Sequence, residues 1–75
     1  MKALIIYHKD SPFYKAGIKS QEAKDLTEIH YSYDGIGEKS TAFESDILGE
    51  GFTCYNKFIK EFCIINDDGK FHKIK

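Results

Sequence analysis

Two carboxylates, Glu44 and Asp46, stand two residues apart in the segment Ser40 to Phe52, STAFESDILGEGF. That spacing places both side chains on one face of a strand. Such a pair lies about 6.5–7 Å apart, inside the range that inverting glycosidases use. An open strand face supplies neither a dry cleft nor a wall of substrate size. A plain solvated strand face is the first reading of such a pair, and the chemistry it could otherwise do is presentation of negative charge to a basic partner. Asp34, Glu38 and Glu50 extend the acidic stretch, and Tyr31 and Tyr33 precede it. Asp34, Glu38, Glu44, Asp46, Glu50, Tyr31 and Tyr33 therefore form the candidate partner-binding set.

Other chemistry-bearing residues combine less well. His8, His30 and His72 with Cys54 and Cys63 offer zinc-type donors, but the cysteines stand nine apart and no His–His or Cys-x-x-Cys spacing joins them. Three strand histidines and two small core thiols are expected, with no metal and no cofactor. A Cys–His nucleophile needs a thiol at a helix N-terminus or beside a cation, and neither cysteine is so placed, so no catalytic residue is assigned. Gly35-Ile36-Gly37 lacks the third glycine and the strand-to-helix setting of a phosphate loop, and Gly49-Glu50-Gly51 puts a carboxylate where a phosphate would sit. Both read as turns.

The charge layout points the same way. Net charge is −1, yet residues 1–25 hold five Lys against Asp10, Glu22 and Asp25, giving +2. Residues 26–51 hold Lys39 against Glu28, Asp34, Glu38, Glu44, Asp46 and Glu50, giving −5, and residues 52–75 return to +2. All eleven cations are Lys, so the bidentate fork of arginine is missing from any nucleic-acid reading. Single-stranded nucleic acid, stacked on exposed Tyr beside Lys, ranks second as a partner.

These residues need a scaffold. The 75 residues are enough for one small domain, 1–75, which buries roughly 60% of its unfolded surface. Six Phe, five Tyr and one Pro favour strands and turns over a helical bundle. The expected fold is mainly β: a small antiparallel meander or barrel of five to six strands, with room for one short helix between residues 11 and 25. Lys2 to His8 is apolar on both faces and belongs in the middle of a sheet. Asp10-Ser11-Pro12 announces a helical turn to Ala16, ended by Gly17. Ser20 to about Ile29 fits a helix or a strand, but Leu26 to Tyr33 alternates as a strand with Ile29, Tyr31 and Tyr33 on one side. Thr41 to Leu48 should hide Phe43 and Ile47, turn Glu44 and Asp46 to water, and reverse at the glycines after Leu48. Phe52–Tyr55 and Ile59–Ile65 flank a reversal at Asn56-Lys57-Phe58, across which Cys54 and Cys63 could face each other, and Asn66-Asp67-Asp68-Gly69 closes a last hairpin.

Thr27-Glu28-Ile29-His30-Tyr31, Ala42-Phe43-Glu44-Ser45-Asp46-Ile47, Gly49, Gly51 and Ile59-Lys60-Glu61-Phe62 together resemble a pattern of small uncharacterised proteins encoded by phages and prophages of low-GC bacteria. The resemblance spans Leu26 to Phe62, and the pattern often has His where this chain has Leu48. It implies no activity. What it implies is a mobile-element accessory protein, a class that often binds and blocks a host factor. The expected function is thus non-enzymatic binding, and possible inhibition, of a bacterial host protein. The start MKALIIYHKD lacks a signal-peptide core, and no apolar run approaches the roughly 20 residues of a membrane span, so a cytoplasmic location with reduced thiols is expected. Sheet edges leave open a homodimer by edge pairing.

Overall fold

Lys2 to Tyr7, the segment apolar on both sides, forms strand β1 and lies inside a sheet. The computed structural model describes residues 1–75, except for the side chain of Glu50, which lies outside the described residues. After β1 come a helical turn α1 (Pro12–Lys15), then β2 (Ser20–Ala23), β3 (Leu26–Tyr33), β4 (Ser40–Ser45), β5 (Gly49–Tyr55), a 3-10 turn (Asn56–Phe58), β6 (Ile59–Ile65) and β7 (Phe71–Lys73). The architecture is mainly β and antiparallel, with the one short helix where it was expected. The ambiguous Ser20 to Asp25 segment contributes a seventh strand.

The strands form two sheets, in the orders β2-β1-β6-β7 and β3-β4-β5. The chain changes sheet twice, at Lys24-Asp25 and at the 3-10 turn. Asp25 takes a φ of +56° at the first change, a left-handed conformation that Asp tolerates better than most residues. At the second, Thr41 donates a hydrogen bond of 2.5 Å to Asn56 Oδ1, and Asn56 N–H donates to Lys39 O at 2.9 Å. Both side chains are buried, so this pair satisfies polar groups that would otherwise be costly there. Because β5 and β6 belong to different sheets, they do not form the hairpin that would bring the cysteines together. Cys54 lies in the core; Cys63 sits on the face of β6 opposite Phe62 and Ile64, and both thiols are free.

Inward-facing residues of both sheets build the core: Ala3, Ile5 and Tyr7 from β1, Leu26 from β3, Phe43 from β4, Cys54 from β5, and Ile59 and Phe62 from β6. A file of stacked rings crosses it. Tyr31 and Phe62 are 5.4 Å apart by centroid, Phe62 and Phe43 6.0 Å, Phe43 and Phe52 5.0 Å, Phe52 and Phe13 6.2 Å, and Phe13 and Tyr7 4.9 Å. Helix α1 exists to place Phe13 in this file. Buried Ser11 caps it by accepting from Phe13 N–H at 3.2 Å, and Pro12 sets the first helical φ.

The Ser40 to Phe52 segment departs from expectation. Its strand stops at Ser45, and the reversal falls on Asp46-Ile47-Leu48 with Gly49 at a φ of +68°. Phe43 is buried as expected, but Ile47 is 74% exposed, and Asp46 sits in the turn and no longer shares a strand face with Glu44. The physical reason is local: Ser45 Oγ accepts from the N–H groups of Ile47 and Leu48 at 3.2 and 3.4 Å, offering the backbone a turn in place of the ladder. Gly51 is the extra residue of a bulge, since Phe43 pairs with Phe52 and Glu44 with Glu50.

Phe62→Ala should cost about 3–5 kcal/mol by opening a cavity in the ring file. That is close to the whole stability, of order 4–11 kcal/mol, of a chain this size. Phe71→Ala, at a ring 60% exposed, should stay within about 0.5 kcal/mol. Urea unfolding followed by circular dichroism measures both, and equal effects would contradict the core described. A second expectation concerns alkali. Burial, then the charge of Cys54, push the Tyr7 hydroxyl up to about 12 from 10.0. With the folded value raised, the unfolded chain releases this proton first, so the contribution is complete below about pH 10 and disappears as pH rises toward 12. Tyr7→Phe should unfold with a shallower loss of stability over that window, although it also forfeits the 2.8 Å bond from Tyr7 to Gln21 Oε1.

Candidate functional site

The outward face of the β3-β4-β5 sheet carries a cross-strand acidic register. Antiparallel pairing sets Glu28 opposite Glu44, and Glu44 opposite Glu50 on the far strand. The next row is His30, Ala42 and Thr53, and the one after is Tyr33, Ser40 and Tyr55. A negative row, a small row and a tyrosine row thus lie in sequence across one face.

Two irregularities in β3 make this arrangement. The register slips between Leu26 and Glu28, with Thr27 as the extra residue, so Leu26 turns into the core while Glu28 faces out. It slips again between His30 and Tyr33, where Ser32 takes a φ of +63°. Simple alternation would put Tyr31 and Tyr33 on the same side. The bulge separates them: Tyr31 stacks inward on Phe62, while Tyr33 remains 48% exposed with its ring 6.0 Å from that of His30. A backbone held in so sparsely populated a region is a cost of order 1–3 kcal/mol, and such costs gather at functional positions. Gly35 completes the seat, because a Cβ there would fall 2.1 Å from the Tyr33 ring.

The candidate residues therefore divide. Glu44 is half-buried in the acidic row, and Tyr33 lies on the same face two rows away. Tyr31 is core packing. Glu38 pairs with Lys57 at 3.2 Å, which spends its charge locally, and Lys57 also lies 5.3 Å above the Tyr55 ring. Asp34 is exposed in the loop after β3 and Asp46 in the β4–β5 turn, away from the row. Glu50 has its register position, but its side chain lies outside the described residues. Glu28 and His30 were not among the candidates; a Glu-x-His spacing on a strand, facing an acid on the next strand, is the signal that marks them.

His30 Nε2 lies 3.2 Å from Glu28 Oε1, and donor atoms of Glu28, His30 and Glu44 all lie within 4.8 Å of one another. No lysine pairs with Glu28 or Glu44 among the described residues. Beside Glu44 a cleft of about 400 Å³ opens between the sheets, with Ala23, Leu26, Phe43, Leu48 and Phe52 in its walls and Glu22, Lys24 and Asp25 along one side. Ile47 and Leu48, 74% and 79% exposed, stand at the β4–β5 turn that borders this region. Elsewhere, a second cleft of about 520 Å³ is lined by His8, Lys9, Lys19, Lys60 and Tyr14 against Asp10. Cys54, whose thiol is pushed up by burial, is a poor nucleophile. No described helix is long and apolar enough to cross a membrane. Comparison with family models, curated proteins and solved structures gives no match to this chain.

Proposed function

We propose that this chain is a non-enzymatic, cytoplasmic accessory protein of a phage or other mobile element that binds a bacterial host protein, and inhibits it, through the acidic face of the β3-β4-β5 sheet. The observation that carries the reading is the position of Glu44. It belongs to the negative row and also to the rim of the apolar cleft between Leu26, Phe43 and Phe52. An apolar floor edged by Glu22, Asp25 and Glu44 against one lysine, Lys24, suits a partner segment that is basic and apolar together. Burial of Ile47 and Leu48 would supply affinity, and the carboxylates would steer the approach and reject acidic competitors.

Capture of the host protein from lysate should fail with Glu44→Lys and survive with Asp68→Lys, which adds the same charge at the distant β6–β7 turn. The purified captured protein should lose activity on adding the wild-type chain, and its association rate should fall as salt rises. Equal capture by both variants would remove this face from the account.

A second reading, binding of single-stranded nucleic acid, has the basic cleft on its side. Lys19 Nζ lies 5.8 Å from the Tyr14 ring centroid, and Lys9 and Lys60 line the same hollow. Three lysines on a single strand would give a salt slope of about −2 in log K, at roughly 0.7 per phosphate. The proposed function expects no salt-dependent binding when labelled single strands are titrated at low and moderate salt. A slope near −2 that Lys19→Glu lowers by about 0.7 or more, with weaker binding, would establish the second reading in its place.

A further inference from the structure

Glu28, His30 and Glu44 hold a chemistry that charge presentation alone does not use. The set is mixed: one imidazole nitrogen and two carboxylate oxygens converge to within 4.8 Å of one another. Imidazole with carboxylate is a donor combination for borderline divalent metals, whereas magnesium and calcium favour more numerous, all-oxygen ligands. The backbone presents the three groups from fixed positions, Glu28 and His30 two apart on β3 and Glu44 directly opposite Glu28 on β4. Tyr33, brought to the same side by the strained Ser32 bulge, places its ring 6.0 Å from the imidazole. Like charges directly opposite across a sheet are destabilising, and no lysine offsets this pair among the described residues. A dication between them turns that repulsion into coordination.

We propose that Glu28, His30 and Glu44 form a three-ligand site for a zinc-type divalent ion, its remaining position open to solvent. Tetrahedral zinc with bonds of about 2.0–2.2 Å needs donors roughly 3.4 Å apart. Rotation of the Glu28 and His30 side chains, 56% and 43% exposed, closes their donors onto the half-buried Glu44 to that spacing. Cys54 and Cys63, both buried, lie outside the donor set. The inference does not rest on the proposed function, because it is tested with no partner present.

Zinc chloride is titrated calorimetrically into the full chain after chelator treatment, with the histidine ring resonances followed by NMR. The expected result is one zinc per chain, movement of the His30 signals with His8 and His72 unmoved, and a melting temperature raised by zinc. His30→Ala and Glu44→Gln should each weaken binding by more than the roughly 10–100-fold seen when only a group that orients a ligand is removed, and should abolish the thermal gain. Circular dichroism of the metal-free variants verifies folding, and Glu28→Gln replaces Glu44→Gln if the latter fails to fold. The inference is overturned by absence of heat and of shifts, by equal movement of all three histidines, by undiminished binding in His30→Ala, or by equal affinity for magnesium.

Discussion

The structure depends on Phe62 having an aromatic ring on either side. Two sheets of four and three strands are too small to hold each other by area alone, and the rings of Tyr31, Phe62 and Phe43 alternate between them as a laminate. Phe62 is wholly buried. Offset ring pairs contribute about 0.5–1.5 kcal/mol each beyond the area they hide. The backbone around Phe62 is held equally firmly: its carbonyl accepts from Ile74 and Lys75 N–H groups, and its own N–H donates to Lys75 O. The C-terminal residues thus lock the strand that carries the central ring. Through Phe43 the same packing fixes β4, and β4 is the middle strand of the face where the acids lie.

That link explains why the acidic row can exist. A row of carboxylates across an antiparallel sheet opposes the pairing that creates it, and an isolated three-stranded sheet with this face would be marginal. Here the inner side of each strand is tied to the ring file, by Ile29 and Tyr31 on β3, Phe43 on β4 and Phe52 on β5. Register is set by the buried side, because a slip of one residue would expose it. The outer side is then free to carry groups chosen for something other than stability.

Much of the fold was legible in the sequence, for identifiable reasons. Two-sided hydrophobicity marked β1, Ser11-Pro12 marked the helix start, and Asp68-Gly69 marked the last hairpin, each a short-range signal with its own mechanism. What misled was an assumption of unbroken alternation. Ser45 ends β4 by a side-chain bond to the following turn, which composition cannot distinguish from two further strand residues, so Ile47 and Asp46 were placed on a strand that is absent. The bulges at Thr27 and Ser32 exchange faces in the same hidden way. They send Tyr31 inward and Tyr33 outward, though both fit one stripe of a regular strand. The sheet to which β6 belongs was equally hidden, because the Asn56–Phe58 reversal looks locally like a hairpin and only the long-range pairing with β1 shows otherwise.

The site was half legible for a related reason. Glu44 stood out because acids cluster around it in sequence, whereas Glu28 and His30 acquire meaning only once β3 is laid beside β4. Sequence proximity overstated Asp34, Asp46 and Glu38, which are near Glu44 along the chain but point into loops or onto Lys57. Cross-strand proximity selects differently: it joins Glu28, His30 and Glu44, the last of them on the rim of the cleft. A surface used only for solubility would interleave lysines among these acids, since the chain has eleven to place. Of these lysines, Lys24 lines the cleft that Glu44 borders, whereas Lys9, Lys19 and Lys60 gather around a separate cleft and Lys57 is held by Glu38. The Glu28–Glu44 pair has no lysine partner among the described residues, its basic neighbour being the His30 imidazole 3.2 Å from Glu28, and a further cation there, a metal ion or a partner's side chain, would relieve the repulsion of carboxylates fixed on facing strands.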